Sequence, residues 1–287
     1  MNPIIAYKKS STRYLYLDLL RILGITLILC EHVVHPFFII SPWYGNFFIG
    51  GVGIFIFVLA SGAGLAYNNT IFKIKNDYLR FYLKHYIKIY LSLWVALFLS
   101  FIINPIIQGE TKFLLFTQFT GTFPYFNQAG RVDVLWDAPT WFIGMIVALY
   151  LFYPLLYKFI SKNAEIKVIL LVGFSFGFKL VAVYYQDFGI INLNYWCPLT
   201  YIGVFSIGIY MVKFLKYPKK ESKNMIIIRL SEMALFIFLI QMPILIKFGG
   251  NYPIIALAGI FLLAYMMYLF DRHLTGIINP YINRYLR

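Results

Sequence analysis

The chain has 287 residues, of which 61% are hydrophobic, 20% aromatic and only 13% charged, and its formal net charge is +14. A typical soluble domain carries about 25% charged residues, so the composition excludes an ordinary soluble protein. Apolar runs of roughly 20 residues, the length that crosses about 30 Å of hydrocarbon, recur along the whole sequence. The composition therefore predicts an all-α, polytopic transmembrane helix bundle, with residues 1–287 forming one domain.

Eight apolar segments are long enough to be membrane spans. They are 15–35, 47–67, 85–103, 139–157, 168–186, 196–212, 230–246 and 253–270. The long connection 104–138 contains "KFLLFTQFTGTFPYF", which is too short and too interrupted by Thr, Gly and Pro to cross as one helix. If this connection crosses twice together with its neighbours, the count becomes ten. Both counts are even, so both place the two termini on the same side.

The basic residues alternate from one connection to the next. Of the 25 Lys and Arg residues, 19 lie in the two termini and in the second, fourth and sixth connections, whereas 3 lie in the opposite connections and 3 within spans. The positive-inside rule then predicts cytoplasmic N- and C-termini, in a multi-pass protein of the plasma membrane. This distribution explains the net charge without a nucleic-acid partner, and the basic loops are suited to contact with anionic membrane lipids.

The first span, "LDLLRILGITLILCEHVVH", carries five ionisable residues, although each charge at bilayer depth costs about 2.5–3.5 kcal/mol on the insertion scale. Arg21 and His32 are 11 residues apart, which places them on one helix face and about 16 Å apart along the axis. Asp18 lies one turn before Arg21 and can pair with it. Glu31 and His35 are four residues apart and can pair in the same way. The charged face predicts a polar cavity.

The third span begins with the basic stretch "YLRFYLKHYIKIYLSLW". Lys84 and Lys88 are one turn apart at the predicted cytoplasmic end. These lysines either snorkel to the membrane surface, as flanking lysines commonly do, or form an anion site at the inner mouth of the cavity. The composition does not choose between these two readings.

Five further polar residues lie in or beside spans. Ser61 follows a glycine-rich stretch that favours close helix packing, and it can also line a cavity. Asp137 can cap the fourth span, and Asp133 lies with it on the predicted outer side, the side of His32. Lys179 and Gln241 lie within spans, where each is either a structural hydrogen-bonding residue or part of a substrate site.

Taken together, the motifs resemble acyltransferase family 3, whose members are integral-membrane enzymes that O-acylate surface glycans and related acceptors. "LDLLR", the Arg21 to His32 spacing and "GVGIFIFVLASG" resemble the first two family helices. "KHYIK", "TWFIGMIVALYLFYPLL" and "ALFIFLIQMPIL" resemble the basic motif of the third helix, a later Trp-Phe span and a late helix of the family, in the right order. The resemblance covers nearly the whole chain.

The resemblance implies that an acyl group, usually acetyl from acetyl-CoA, is transferred to a hydroxyl of a glycan or a lipid-linked sugar. In this reading His32 matches the essential histidine of the family and Arg21 the paired arginine. Lys84, His85 and Lys88 fall where the family has basic residues, which favours a site for the CoA phosphates. Neither the acceptor nor the oligomeric state can be read from the sequence.

Two positions depart from the family pattern. Ile146 stands where many glycan-acylating members have a glutamate, and Gln241 replaces a late-helix histidine. The chain therefore resembles the shorter, single-domain branch of the family most closely. The catalytic carboxylate has to come from another position, and Glu31 and Asp137 are the candidates, with Asp133 beside them.

Histidine suits the chemistry, because a base must take the acceptor's hydroxyl proton near neutral pH. His32 either acts as this base directly or carries the acetyl group as an acyl-histidine. The rival hypothesis is a transporter or flippase for a glycan or lipid-linked sugar, although the repeated halves common in transporters are missing from the sequence. Only two cysteines, Cys30 and Cys197, are present, so we expect no metal site.

Overall fold

The computed structural model describes residues 13–34, 49–68, 72, 75–108, 120, 140–186, 197–214, 221–245, 248 and 251–285. Over these residues the fold is helical and contains no named strand. The α-helices are α1 (Leu15–Val34), α2 (Ile49–Asn68), α3 (Lys75–Gln108), α4 (Thr140–Phe159), α5 (Ala164–Gln186), α6 (Ile202–Lys213), α7 (Met225–Ile244) and α8 (Pro253–Tyr285). A 3-10 turn at Pro198–Thr200 precedes α6.

Each of the eight predicted spans coincides with one of these helices, which confirms the all-α bundle. Two helices are longer than their spans, since α3 has 34 residues and α8 has 33. Both extend to about 50 Å at 1.5 Å per residue. Lys and Arg lower the hydropathy of a segment but are good helix formers. A span predicted from hydropathy therefore stops at these residues, whereas the helix continues through them. The connection that would raise the count to ten lies, apart from 104–108 and Thr120, outside the described residues.

The bundle has the surface of a membrane protein. Three helices are long and apolar enough to cross a membrane, namely Ile49–Tyr67, Thr140–Phe159 and Pro253–Ile278, and Ile202–Lys213 is apolar but shorter. Large apolar side chains remain exposed on α5 and α8, such as Ile169 at 69% and Ile254 at 81%. An apolar outer surface of this kind fits a lipid environment.

Small residues bring α1, α2 and α6 close together. A Cβ atom built on Gly53 would lie 2.6 Å from the Gly24 carbonyl oxygen, and one on Gly62 would overlap the Phe205 carbonyl. A Cβ atom on Gly208 would overlap the backbone of α2 in the same way. The glycines of the second span therefore serve mainly in packing, as their spacing predicts.

Several helix ends meet at one end of the bundle, which we call the basic end because Arg13, Lys158 and Lys213 lie there. Tyr14, just before α1, stacks on Tyr67 of α2 with ring centroids 4.0 Å apart. Tyr14 also forms an isolated β-bridge with Glu221, just before α7. The Lys213 amine at the end of α6 donates to the Tyr157 carbonyl in the last turn of α4, at 2.9 Å. Helices therefore alternate in direction as the span order requires.

We expect Gly62→Ala to lower the thermal unfolding temperature in detergent by several degrees. The new methyl group meets the Phe205 backbone, which cannot rotate away, and overpacking of this kind costs about 1–3 kcal/mol. Gly51→Ala is the matched control, because nothing lies within 4 Å of its Cβ position. Equal unfolding temperatures for the two variants would contradict the packing role of Gly62.

Candidate active site

The first helix carries the two residues around which the site is arranged. α1 runs without interruption from Leu15 to Val34, so the 11-residue spacing holds, and Arg21 and His32 lie about 16 Å apart on one face. Arg21 is near the basic end. His32 is half-buried in the last turn, toward the opposite end.

A buried carboxylate holds the basic end of this helix. Asp18 is 1% exposed, and its Oδ1 accepts hydrogen bonds from Arg13 at 2.9 Å, Ser231 at 2.7 Å and Arg21 at 3.5 Å. The predicted pairing of Asp18 with Arg21 is confirmed, but it is the longest of the three contacts. Asp18 therefore joins α7 and the segment before α1 to the first helix, and Arg21 is held only loosely.

Arg13 connects this carboxylate with a second one. Its guanidinium also forms an ion pair with Glu232 of α7, and Glu232 lies within electrostatic range of Tyr268 on α8. Burial lowers the pKa of Arg13, but hydrogen bonds and Coulomb attraction from Asp18 and Glu232 outweigh burial and raise the pKa overall. Arg13 thus stays positively charged.

Two cations face an internal cavity. The side chains of Arg21 and Lys88 lie deep among the helices, yet Lys88 is exposed and Arg21 keeps 34% of its side-chain surface open. Open surface on two cations that lie among helices is what a polar cavity would produce, and we call the space beside Arg21 and Lys88 the cavity. The guanidinium lies beside Gly64 of α2, where a Cβ atom would be at an ordinary contact distance of 3.5 Å from Arg21 Nη2.

The basic motif of α3 divides between the outside and the inside of the bundle. Lys84 is exposed near the basic end. His85 is half-buried, with its ring 4.8 Å from that of Phe81 and 5.8 Å from that of Tyr150. Of the three predicted residues, Lys88 is the one that reaches the electrostatic range of Arg21.

Several polar residues of the cavity did not emerge from the sequence. Tyr150 of α4 lies near Ser61 of α2 and within electrostatic range of Arg21. Asp271 of α8 accepts a hydrogen bond from Ser92 of α3 at 3.2 Å and acts electrostatically on Lys88. Tyr150 is one of 24 tyrosines, so its residue type carried no information. Asp271 follows directly on the predicted span 253–270 and therefore looked like an ordinary loop residue.

Glu31, a predicted catalytic carboxylate, caps a helix. Its Oε2 accepts a hydrogen bond from the Gly50 amide in the first turn of α2. The first amides of a helix lack partners within the helix, and a negative charge at that end is favourable. This contact joins the end of α1 to the start of α2, since Glu31 is near the end of one helix and Gly50 is near the start of the next.

The two predicted mid-span polar residues have different surroundings. Lys179 of α5 is half-buried and its Nζ lies 5.1 Å from the centroid of the Phe55 ring. Gln241 of α7 is fully buried, and neither polar atom of its amide has a hydrogen-bond partner among the described residues. An unsatisfied buried amide costs about 1–3 kcal/mol, which makes Gln241 a place where a ligand can supply the missing partner.

Three predicted site residues, His35, Asp133 and Asp137, lie outside the described residues. Within the part of the chain that the structure describes, no group of three or more His, Cys, Asp or Glu residues is arranged to hold a metal ion. The catalytic carboxylate and the absence of a metal site therefore stay predictions.

The fold and the site define a class of protein: a helical membrane bundle with charged residues among its helices. A family model described as an acyltransferase domain, that of acyltransferase family 3, matches residues 14–286. No curated protein and no solved structure matches the chain. Because the family match covers nearly the whole sequence, the chain belongs to acyltransferase family 3 and is a membrane acyltransferase.

We expect Glu31→Ala to destabilise the protein by about 0.5–2 kcal/mol, the usual cost of losing a helix cap. Glu31→Gln keeps an oxygen that can accept the Gly50 amide, so it should unfold close to the wild-type temperature. Thermal unfolding in detergent measures both variants. If alanine and glutamine lowered the unfolding temperature equally, the carboxylate charge rather than the capping bond would be what matters.

Proposed function

We propose that the protein transfers an acetyl group from acetyl-CoA to a hydroxyl of a surface glycan or lipid-linked sugar. The observation that carries this proposal is the pair of Arg21 and His32 on one face of α1. One end of the face lies within electrostatic range of a second cation, Lys88, and the other end carries a histidine that can accept a proton. An acyl donor that carries phosphates at one end and a thioester at the other has groups that suit the cations and the histidine respectively.

The donor's phosphates are the anions that Arg21 and Lys88 would bind. An arginine fork suits phosphate oxygens, and among the described residues Arg21 makes one side-chain hydrogen bond, to Asp18 at 3.5 Å. Lys84 and His85 lie closer to the basic end and would line the route by which the nucleotide enters. The roughly 16 Å from Arg21 to His32 is comparable with the reach of an extended pantetheine arm.

At the other end of this path His32 would act as the base. It takes the acceptor's hydroxyl proton as the oxygen attacks the thioester carbonyl; the new C–O bond forms, the C–S bond breaks, and the CoA thiolate leaves. The equivalent two-step route first forms an acyl-histidine with loss of CoA and then passes the acyl group to the acceptor. Both routes need no co-reactant beyond donor and acceptor.

The acceptor side of the site would lie around His32. A carboxylate that orients the imidazole would come from Asp133 or Asp137, since Glu31 already caps α2. The buried amide of Gln241, without a partner in the described part of the chain, is suited to a sugar hydroxyl or a carbonyl oxygen. His35 and Lys179 stay sequence predictions for this side, whereas Ser61 is near Tyr150, which lies within electrostatic range of Arg21.

We place the basic end of the bundle in the cytoplasm and the protein in the plasma membrane. The contacts of Tyr14 with Tyr67 and Glu221 bring the N-terminal segment and two basic connections to one end. Positive loops stay on the cytoplasmic side, where acetyl-CoA is also made available. The termini and the donor would then share one side, and the acceptor would be reached from the other.

We expect His32→Ala to abolish acetyl transfer. Because the base or acyl carrier is lost, the rate should fall by at least the factor of about 10²–10⁴ that general acid–base catalysis contributes. Labelled acetyl incorporation from acetyl-CoA in membranes measures this. His273→Ala is the matched control, since His273 is exposed on α8 and should leave transfer unchanged. Full activity of His32→Ala would refute the proposed reaction.

We expect Lys88→Gln to weaken acetyl-CoA binding about tenfold or more, as for the loss of a hydrogen bond to a charged group. Lys158→Gln removes an exposed lysine at the end of α4 and should bind acetyl-CoA as wild type does. Titration calorimetry on the purified protein compares the two dissociation constants. Unchanged binding by Lys88→Gln would move the phosphate site elsewhere.

A further inference from the structure

The cations around the cavity differ in how closely they contact a carboxylate. In the described part of the chain Arg13, Arg21 and Lys88 lie within electrostatic range of three carboxylates, Asp18, Glu232 and Asp271. An empty site with equal numbers of opposite charges offers little attraction to an anion unless some cations are left uncommitted. Which cation each carboxylate contacts therefore decides whether an anion can bind.

Arg13 contacts two of these carboxylates directly. It donates to Asp18 Oδ1 at 2.9 Å and forms an ion pair with Glu232. Arg21 reaches the same Asp18 oxygen only at 3.5 Å. The shorter contact belongs to Arg13, which lies in the segment before α1.

The same oxygen would hold Arg21 more tightly if Arg13 were absent. Asp18 and Arg21 are one turn apart on α1, and Ser231 donates at 2.7 Å and so keeps the carboxylate in place beside Arg21. Without Arg13 the shared oxygen has one donor fewer, and the guanidinium of Arg21 is the cation within reach. Glu232, which also acts on Lys88, would lose its ion-pair partner as well.

We propose that Arg13 is a positioning residue for donor binding: by occupying Asp18 and Glu232 it leaves Arg21 and Lys88 available to the donor's phosphates. This inference rests on the proposed function, because it assumes that Arg21 binds an anion. Arg13 lies one residue before the range matched by the family model. Its role follows from the geometry of the ion pairs alone.

The test measures the affinity of the purified full-length protein for acetyl-CoA by titration calorimetry. Arg13→Ala should raise the dissociation constant about tenfold, because Asp18 then binds Arg21 and Glu232 then faces Lys88. The double variant Arg13→Ala with Asp18→Asn should return it to within about threefold of wild type, because the asparagine no longer attracts Arg21. If Arg13 only held the segments together, neutralising Asp18 as well would not restore acetyl-CoA binding.

The outcomes distinguish a failure of this inference from a failure of the proposed function. If Arg21→Ala and Arg13→Ala both leave the dissociation constant unchanged, the donor site is wrong and the inference falls with it. If Arg21→Ala weakens binding but Arg13→Ala does not, or the double variant binds no better than Arg13→Ala, only the role of Arg13 is overturned. If alanine unfolds the protein, Arg13→Gln keeps a donor for Asp18 without the charge and should raise the dissociation constant likewise; no rise would overturn the inference.

Discussion

The carboxylate of Asp18 is the contact on which the arrangement of the site depends. It is almost wholly buried and receives donors from three parts of the chain: the segment before α1, α1 itself and α7. Removing one partner of such a pair leaves an uncompensated buried charge, at a cost of about 3–5 kcal/mol, so the three donors and Asp18 depend on one another. Because Asp18 lies one turn from Arg21, the same contact sets where the first helix presents its arginine.

A helix cap and close backbone packing hold the rest of α1. Glu31 caps the start of α2, and Gly24 and Gly53 let the two helices approach closely along their length. A charge at one end, a cap at the other and close backbone contact between them leave α1 little freedom to rotate. His32 is then kept in line with Arg21, as the proposed reaction would require.

Much of this arrangement could be predicted from local sequence. Hydropathy located the eight helices, and the helical repeat placed Arg21, His32 and Asp18 on one face because all three belong to one helix. Contacts between distant segments could not be predicted in the same way. Ser231 is 213 residues from Asp18 and Asp271 is 179 residues from Ser92, and no periodicity relates residues on separate helices. The capping role of Glu31 likewise depends on Gly50 of α2 lying beside the end of α1, which the spacing of Glu31 and His35 did not indicate.

A membrane site for an anionic ligand has to be stable when empty as well as attractive when filled. Uncompensated cations in a bundle are costly, so carboxylates must accompany Arg21 and Lys88 while the site is empty. If those carboxylates paired fully with the cavity cations, however, the ligand would have to displace them. Partners outside the cavity resolve this conflict: Asp18 and Glu232 contact Arg13, and Asp271 accepts from Ser92. The negative charges thus remain near enough to stabilise the fold, while the hydrogen-bonding capacity of Arg21 stays directed toward the cavity.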